Sequence, residues 1–380
     1  MDWENALSYF IPKFINANTE NDYFLSLMEL TASLKDGHSL LINRKTGVSP
    51  NGFFDGNLPI VASPLNGKLF ITSILPDTTQ AGMLNKLELG DEIISVDGTN
   101  IKDLRTYWER YLVASNNAGF EREYYATWFA SGAVGSSSNI LISRNGTEHD
   151  ILLKRIKRND YYNLRGKVVR KVVIPPTYPP YCRILDGNIG YLRMNRLFVK
   201  ELDSLANMLK DCKKIIIDAR GYPRDGKIGT ELAGYIAEKQ YMVAYNEFPF
   251  VTSPDHKKNS IVTDYEIIVP NKNKVLKGKK YFVLVDEGNQ SQGEWNIIAI
   301  QGVTNATTIG TTTAGTNGMA VTINLPGDYF SFFSGFAEYY PDHTPNQKLG
   351  VKIDITVQIT LKGMIEGKDE IMEKALQVIK

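Results

Sequence analysis

Apolar residues near the start of the chain recur at helical spacing. Phe24, Leu27, Met28, Thr31 and Leu34 return every three or four positions, which predicts helices with one buried face. The pattern stops at Asp36-Gly37-His38, where Gly37 suits a helix end, so the first 36 residues read as helical. From Leu58 to about Ile101 the texture changes to short β runs, with residues 69–74 (LFITSI) the clearest. A short helix at Ala81–Leu84, a tight turn at Leu89-Gly90-Asp91, a strand at Glu92–Val96 and a hairpin turn at Asp97-Gly98 follow. Residues 107–112 read as helical, and 139–143 with 150–153 as a hairpin around Asn145-Gly146. Pro175, Pro176, Pro179 and Pro180 interrupt any regular element and predict a linker.

Beyond the prolines the pattern alternates. Residues 189–194, 214–219 and 281–285 are apolar runs that read as strands buried on both faces. Between and after them, 198–209 is amphipathic, with Phe198, Leu202, Leu205, Ala206 and Leu209 on one face, and helices are expected near 228–238 and at 292–300. A last helix over 369–380 turns Ile371, Met372, Ala375, Leu376 and Ile379 inward. Buried strands alternating with helices predict a mixed or parallel sheet covered on both sides.

The 380 residues allow roughly two or three domains. With 43% hydrophobic and 22% charged residues the chain can bury a sizeable core. Lys+Arg 43 against Asp+Glu 42 leaves a net charge of +1 and no basic patch, which argues against a nucleic-acid partner. The two cysteines, Cys182 and Cys212, lack metal-ligand spacing, although they could pair with each other. No run of 18 apolar residues exists, so no membrane span is expected. The opening MDWENALSYF has neither a basic nor an apolar leader region, so either the protein is cytoplasmic or a targeting segment precedes the given sequence. No zinc-type His/Cys cluster or phosphate-loop pattern is present, and no metal or cofactor is expected.

The candidate chemistry lies in DEGNQSQGEW, residues 286–295, directly after the apolar run YFVLV. Ser291 would sit at the first turn of a helix whose free N–H groups and dipole favour developing negative charge. The N–H of Gln292 could then donate to an oxyanion, and Gly293 would let the backbone turn tightly. Taken alone, a serine before a helix is an N-cap.

Two sets of motifs lift the reading above that. "AGML…LELGDEIISVDG" in residues 81–98 resembles a PDZ domain of the kind found in bacterial proteases, which implies a grip on extended peptides at a sheet edge. A small β domain that braces its neighbours is the alternative. Residues 281–300, with Ser291 three positions before Glu294, resemble the nucleophile segment of the C-terminal processing peptidase and tricorn family of serine proteases. IIIDARGYP at 215–223, TTIGTTTAGTNG at 307–318 and LGVKIDITV at 349–357 resemble further segments of that family, with Ile353 where a proline is usual.

The resemblance implies an α+β multidomain fold. An N-terminal helical region (1–50) would be followed by a PDZ-like β domain (51–105), a connecting segment with hairpin and linker (106–180) and a C-terminal α/β peptidase domain of the ClpP/crotonase-like kind (181–380). It implies a Ser291 nucleophile and oxyanion donors at Gln292 and at Gly221 or Tyr222. Asp218 and Arg220 would form a structural pair fixing the latter loop. One family branch uses a lysine after the "TxG" segment, but residues 314–318 (AGTNG) contain none. The tricorn-like branch uses a histidine, and of His38, His149, His256 and His343 only His38 lies in a matching segment, LKDGHSLL. A neutral imidazole can take the serine proton near pH 7; without the resemblance, His38 would read as a helix C-terminal residue favoured by the dipole. For the orienting carboxylate the interval offers Asp328, Glu338 and Asp342. Pro345 stands where the family often has Glu, so the third member is Glu338, Asp342 or missing. Asp36 reads as a local cap or ion-pair partner. The implied activity is cleavage of peptides or unfolded proteins by an exported (periplasmic or envelope) serine endopeptidase. The alternative is a weakened or inactive homologue that binds peptides.

Overall fold

The computed structural model describes residues 5–45, 47, 54–173, 181–254 and 259–380. The proline cluster at 175–180 and His256 lie outside the described residues.

A six-stranded sheet organises the C-terminal half. Its order is Cys182–Leu185, Ile189–Arg193, Lys214–Asp218, Lys280–Val285, Thr307–Gly310 and Ile355–Thr356. The first pair is antiparallel and every later neighbour is parallel. Ile215, Ile216 and Ile217, like Val283, Leu284 and Val285, are wholly buried, as strands sandwiched between two layers must be. Helices Leu202–Met208, Ile228–Ile236 and Gln292–Val303 cover one face. Helix Glu370–Ile379 covers the other with Ile371, Ala375 and Ile379. Cys182 and Cys212 are buried free thiols rather than a disulfide.

The second half is an antiparallel sheet, in the order Ile60–Leu65, Lys68–Ile74, Glu92–Val96, Ser137–Arg144 and Thr147–Lys154. The turn at Asn145-Gly146 has both residues at positive φ (51° and 83°), and Asp97-Gly98 repeats this (50° and 77°), the signature of two-residue hairpins. The helix expected at 107–112 lies instead at Ile101–Trp108, and helix Arg158–Val173 precedes the proline cluster. The boundary expected at residue 105 is corrected. Ser137–Arg144 pairs directly with Glu92–Val96, so the hairpin placed in a connecting segment is the other half of this sheet. The N-terminal helices, Ala6–Ile15 and Glu20–Ala32, are not a separate unit either. Phe24, Leu27 and Met28 share one core with Leu69, Ile93, Ile140 and Trp128.

Two further hairpins were not foreseen. Tyr241–Phe250 and Ser260–Ile268 pair with each other, and the first also takes strand Ala337–Tyr339. Ala320–Leu325 and Tyr329–Ser334 form the second, onto which Ile42–Asn43 adds as an edge strand. This pairing carries the chain just after His38 to the C-terminal half.

Candidate active site

The strands Lys214–Asp218 and Lys280–Val285 end side by side, and the loops leaving their C-terminal ends build the centre of the site, where parallel α/β sheets characteristically place ligands. Ser291 stands between the second loop and helix Gln292–Val303. Its backbone has φ 51° and ψ −124°, a region costly for a residue with a Cβ. The N-cap expectation fails, because the Ser291 side chain makes no capping bond. What holds the corner is backbone and carboxylate. The Ser291 N–H donates to the Thr316 carbonyl, and the N–H groups of Glu294 and Trp295 return to the Ser291 carbonyl at 2.8 and 3.0 Å. Glu294, 1% exposed, accepts from Thr313 Oγ1 and the Gly315 N–H, tying the helix to the loop that carries Thr316. Burial pushes its carboxyl up to about 7, against these hydrogen bonds.

The expected oxyanion donors gather beside this corner. Asn289 Nδ2 donates to the carbonyls of Ala219 (2.7 Å) and Gly221 (3.2 Å), fastening the first loop to the second. Gly221 adopts φ 82°, which suits a residue without a Cβ. Among the described residues, nothing accepts from the backbone N–H of Gly221, Tyr222 or Gln292. Asp218 and Arg220 do form the expected structural pair. Arg220 grips Asp218 through Nε and Nη2, both at 2.8 Å, and reaches Asp369 at 2.7 and 2.8 Å. Burial alone would raise the Asp218 carboxyl, but the guanidinium beside it holds it below its ordinary range.

His38 arrives from the other half of the chain. The helix before it ends at Ala32 and Lys35, not Gly37, takes the positive φ (52°), so Gly37 is not the helix cap expected of it. Gly37 is instead a close-approach residue: a Cβ there would lie 2.1 Å from Thr316 Oγ1. Thr316 is therefore wedged between the histidine loop and the Ser291 N–H. Ser115 braces the junction, accepting from the Gly37 N–H at 2.9 Å and from Thr316 Oγ1 at 3.1 Å.

The His38 ring is held by groups that sequence reasoning missed. Nδ1 is 3.0 Å from Ser334 Oγ, whose own hydrogen goes to the Asn317 carbonyl at 3.0 Å. A hydroxyl has one hydrogen, so Ser334 must accept from Nδ1–H, which leaves Nε2 as the bare, basic nitrogen. Nε2 is buried and has no partner among the described residues. Asp36 is more than a local cap. It accepts from the His38 N–H (3.0 Å) and the Ser334 N–H (2.6 Å), and its carboxylate is 3.8 Å from Nδ1. Burial lowers the imidazole's pKa below 6.5, with Asp36 opposing the shift in part.

The structure sorts the candidate carboxylates. Asp342 is exposed and paired with Lys352 at 2.6 Å, and Asp328 is paired with Lys45 on the surface. Glu338 is buried, accepting from Asn317 Nδ2 and, at 2.6 Å, from Asn346 Nδ2. It reaches His38 only through Asn317 and Ser334, so no carboxylate hydrogen-bonds the imidazole directly. Burial raises it to about 7 despite the Asn346 bond, and the charges of Glu266 and Glu294 add to that. His149 lies in the exposed outer strand Thr147–Lys154, and His343 bonds Tyr245. No cluster able to hold a metal ion occurs among the described residues.

With this geometry in hand, comparison with known proteins supports a serine-type peptidase. Residues 188–357, which hold five of the six strands of the central sheet and Ser291, match peptidase family S41. In fold the whole chain is similar to mature CPAF complexed with lactacystin, with a TM-score of 0.73 at 14% identity over 100% of this chain and 92% of that one. Mature CPAF alone gives 0.73 at 13% identity, over 100% of this chain and 91% of that chain. No curated protein sequence matches.

Proposed function

We propose that the protein is a serine endopeptidase in which Ser291 is the nucleophile and His38 the general base. One observation carries the reading: Ser334 fixes the His38 tautomer so that the buried, unpartnered nitrogen is the one able to take a proton. His38 Nε2 removes the Ser291 proton as Oγ attacks the peptide carbonyl. The N–H groups of Gln292 and of Gly221 or Tyr222 receive the oxyanion. The imidazolium returns its proton to the leaving amine, and water then cleaves the acyl-enzyme. Asp36 offsets the imidazolium charge from 3.8 Å, and Glu338 acts at a distance by holding Asn317. The antiparallel sheet at 60–154 serves as the PDZ-like unit that binds or gates an extended peptide or unfolded protein. The resemblance carries export as the matching compartment, and no described helix is long and apolar enough to cross a membrane.

A fluorophosphonate probe tests this: labelling of the wild type that is lost in Ser291→Ala supports it. The second reading, a peptide-binding homologue with weakened catalysis, is favoured by the hydroxyl standing where a carboxylate would face Nδ1. Absence of labelling together with retained peptide binding would select it.

A further inference from the structure

A cavity of about 130 Å³ opens where the N-terminal helix, the segment 111–128 and the serine loop meet. Its lining reaches the site from both sides. Gly37 precedes the base, Gln290 precedes the nucleophile, and the Thr316 carbonyl holds the nucleophile's N–H. The walls are apolar, built from Phe24, Met28, Leu112 and Trp128, all buried. Nothing in the proposed chemistry uses this space.

Resting on the peptidase reading, we infer that this cavity is the specificity subsite for a large apolar side chain flanking the scissile bond. The two charged lining residues, Arg122 and Glu123, are paired with each other at 2.9 Å, so neither is free to pair with an ionic side chain, and burying one there would be costly. A dry protein cavity of roughly 150 Å³ accepts benzene, so a Phe, Leu or Met side chain suits this volume. The charged lining residues stand at the serine-loop side. Arg122 donates to the Glu287 carbonyl (3.0 Å) and to Gln290 Oε1 (2.5 Å), and pairs with Glu123 (2.9 Å). Arg122 thereby ties the cavity wall to the loop bearing Ser291. A filled subsite fixes the peptide against the nucleophile through the same wall.

The experiment measures kcat/KM for two peptide series in which the residue on either side of the cleaved bond is Phe, Leu, Met, Ala, Asp or Lys. In one series, Phe, Leu or Met should exceed Ala at least about tenfold and the charged residues by more, in line with what an apolar pocket discriminates. Leu40 lines the cavity and is 44% exposed, so Leu40→Trp can block it with little risk to the core. In that variant, with a Tm near that of the wild type, the Phe-to-Ala ratio should collapse toward one. If Leu40→Trp does not fold, Leu40→Ala replaces it and should shift the preference toward bulkier side chains. Fluorophosphonate labelling of the wild type separates the two claims. Labelling with a flat side-chain profile, or with an unchanged ratio in the Leu40 variants, overturns the subsite alone; absence of labelling overturns the peptidase reading and the subsite with it.

Discussion

The serine corner and the histidine loop are built on opposite plans. The corner is local and rigid: within residues 280–294 a buried strand, a polar loop and a helix fix Ser291 in an unfavourable backbone conformation, and Glu294 anchors the helix from below. The loop is assembled from far apart. His38 depends on Ser334, 296 residues away, on Asp36 beside it, and on a glycine pressed against Thr316. Strain in the corner is sustained by the sheet and core around it, whereas the loop has only a few polar contacts. In the proposed reaction, catalysis therefore depends most on the residue that is easiest to read and most delicately on the one held from a distance.

The largest effect that can break this comparison is at the corner. Ser291→Ala should lower the peptidase rate by at least about 10⁴-fold with KM little changed, measured on a fluorogenic peptide. His38→Ala should cost about 10²–10⁴-fold, the usual contribution of a general base. A smaller loss than that would mean another group takes the proton. Ser334→Ala frees the ring without removing it, and we expect roughly a tenfold fall in kcat, equivalent to about 1.4 kcal/mol. Its acid limb should move as well, which a purely structural loss would not produce. Gly37→Ala forces the loop away from Thr316, and should cost about 1–3 kcal/mol of stability by thermal unfolding.

The pH dependence is the finest test. Because His38 is held below 6.5, the acid limb of kcat/KM should lie below pH 6.5, and Asp36→Asn, which removes the opposing charge, should move it lower still. Glu338 has the opposite sign. Its carboxyl is raised to about 7, so the folded state keeps a proton that the unfolded chain loses near 4.5. Its contribution to stability therefore falls as pH rises from about 4.5 to 7 and is flat above. Glu338→Gln should flatten the Tm profile in that window; an unchanged slope would place the titrating proton elsewhere, with Glu294 the next group to test.

The sequence made the corner legible because everything that shapes it is contiguous: the apolar strand, the turn residues and the helix that follows. Three of the six strands of the central sheet and the turn at Asp97-Gly98 were readable for the same reason. The partners of His38 were not. Ser334 sits at the end of a hairpin whose strand Ala320–Leu325 is almost wholly exposed, so it carries no buried apolar run to reveal it. The Thr316 carbonyl meets the Ser291 N–H, and the Ser115 hydroxyl meets Thr316 Oγ1 and the Gly37 N–H, only in the folded chain. The extent of the antiparallel sheet was missed because Glu92–Val96 and Ser137–Arg144, which pair directly, are separated by about forty residues of helix and aromatic core. No spacing rule joins them.

Arg220 bridges the loop after strand Lys214–Asp218 to Asp369, which also caps helix Glu370–Ile379 by accepting from the Met372 N–H. A growing chain thus has its serine, its histidine and its sheet before this anchor is synthesised. The loop after strand Lys214–Asp218 therefore lacks this anchor until a segment 149 residues further along the chain has folded onto it.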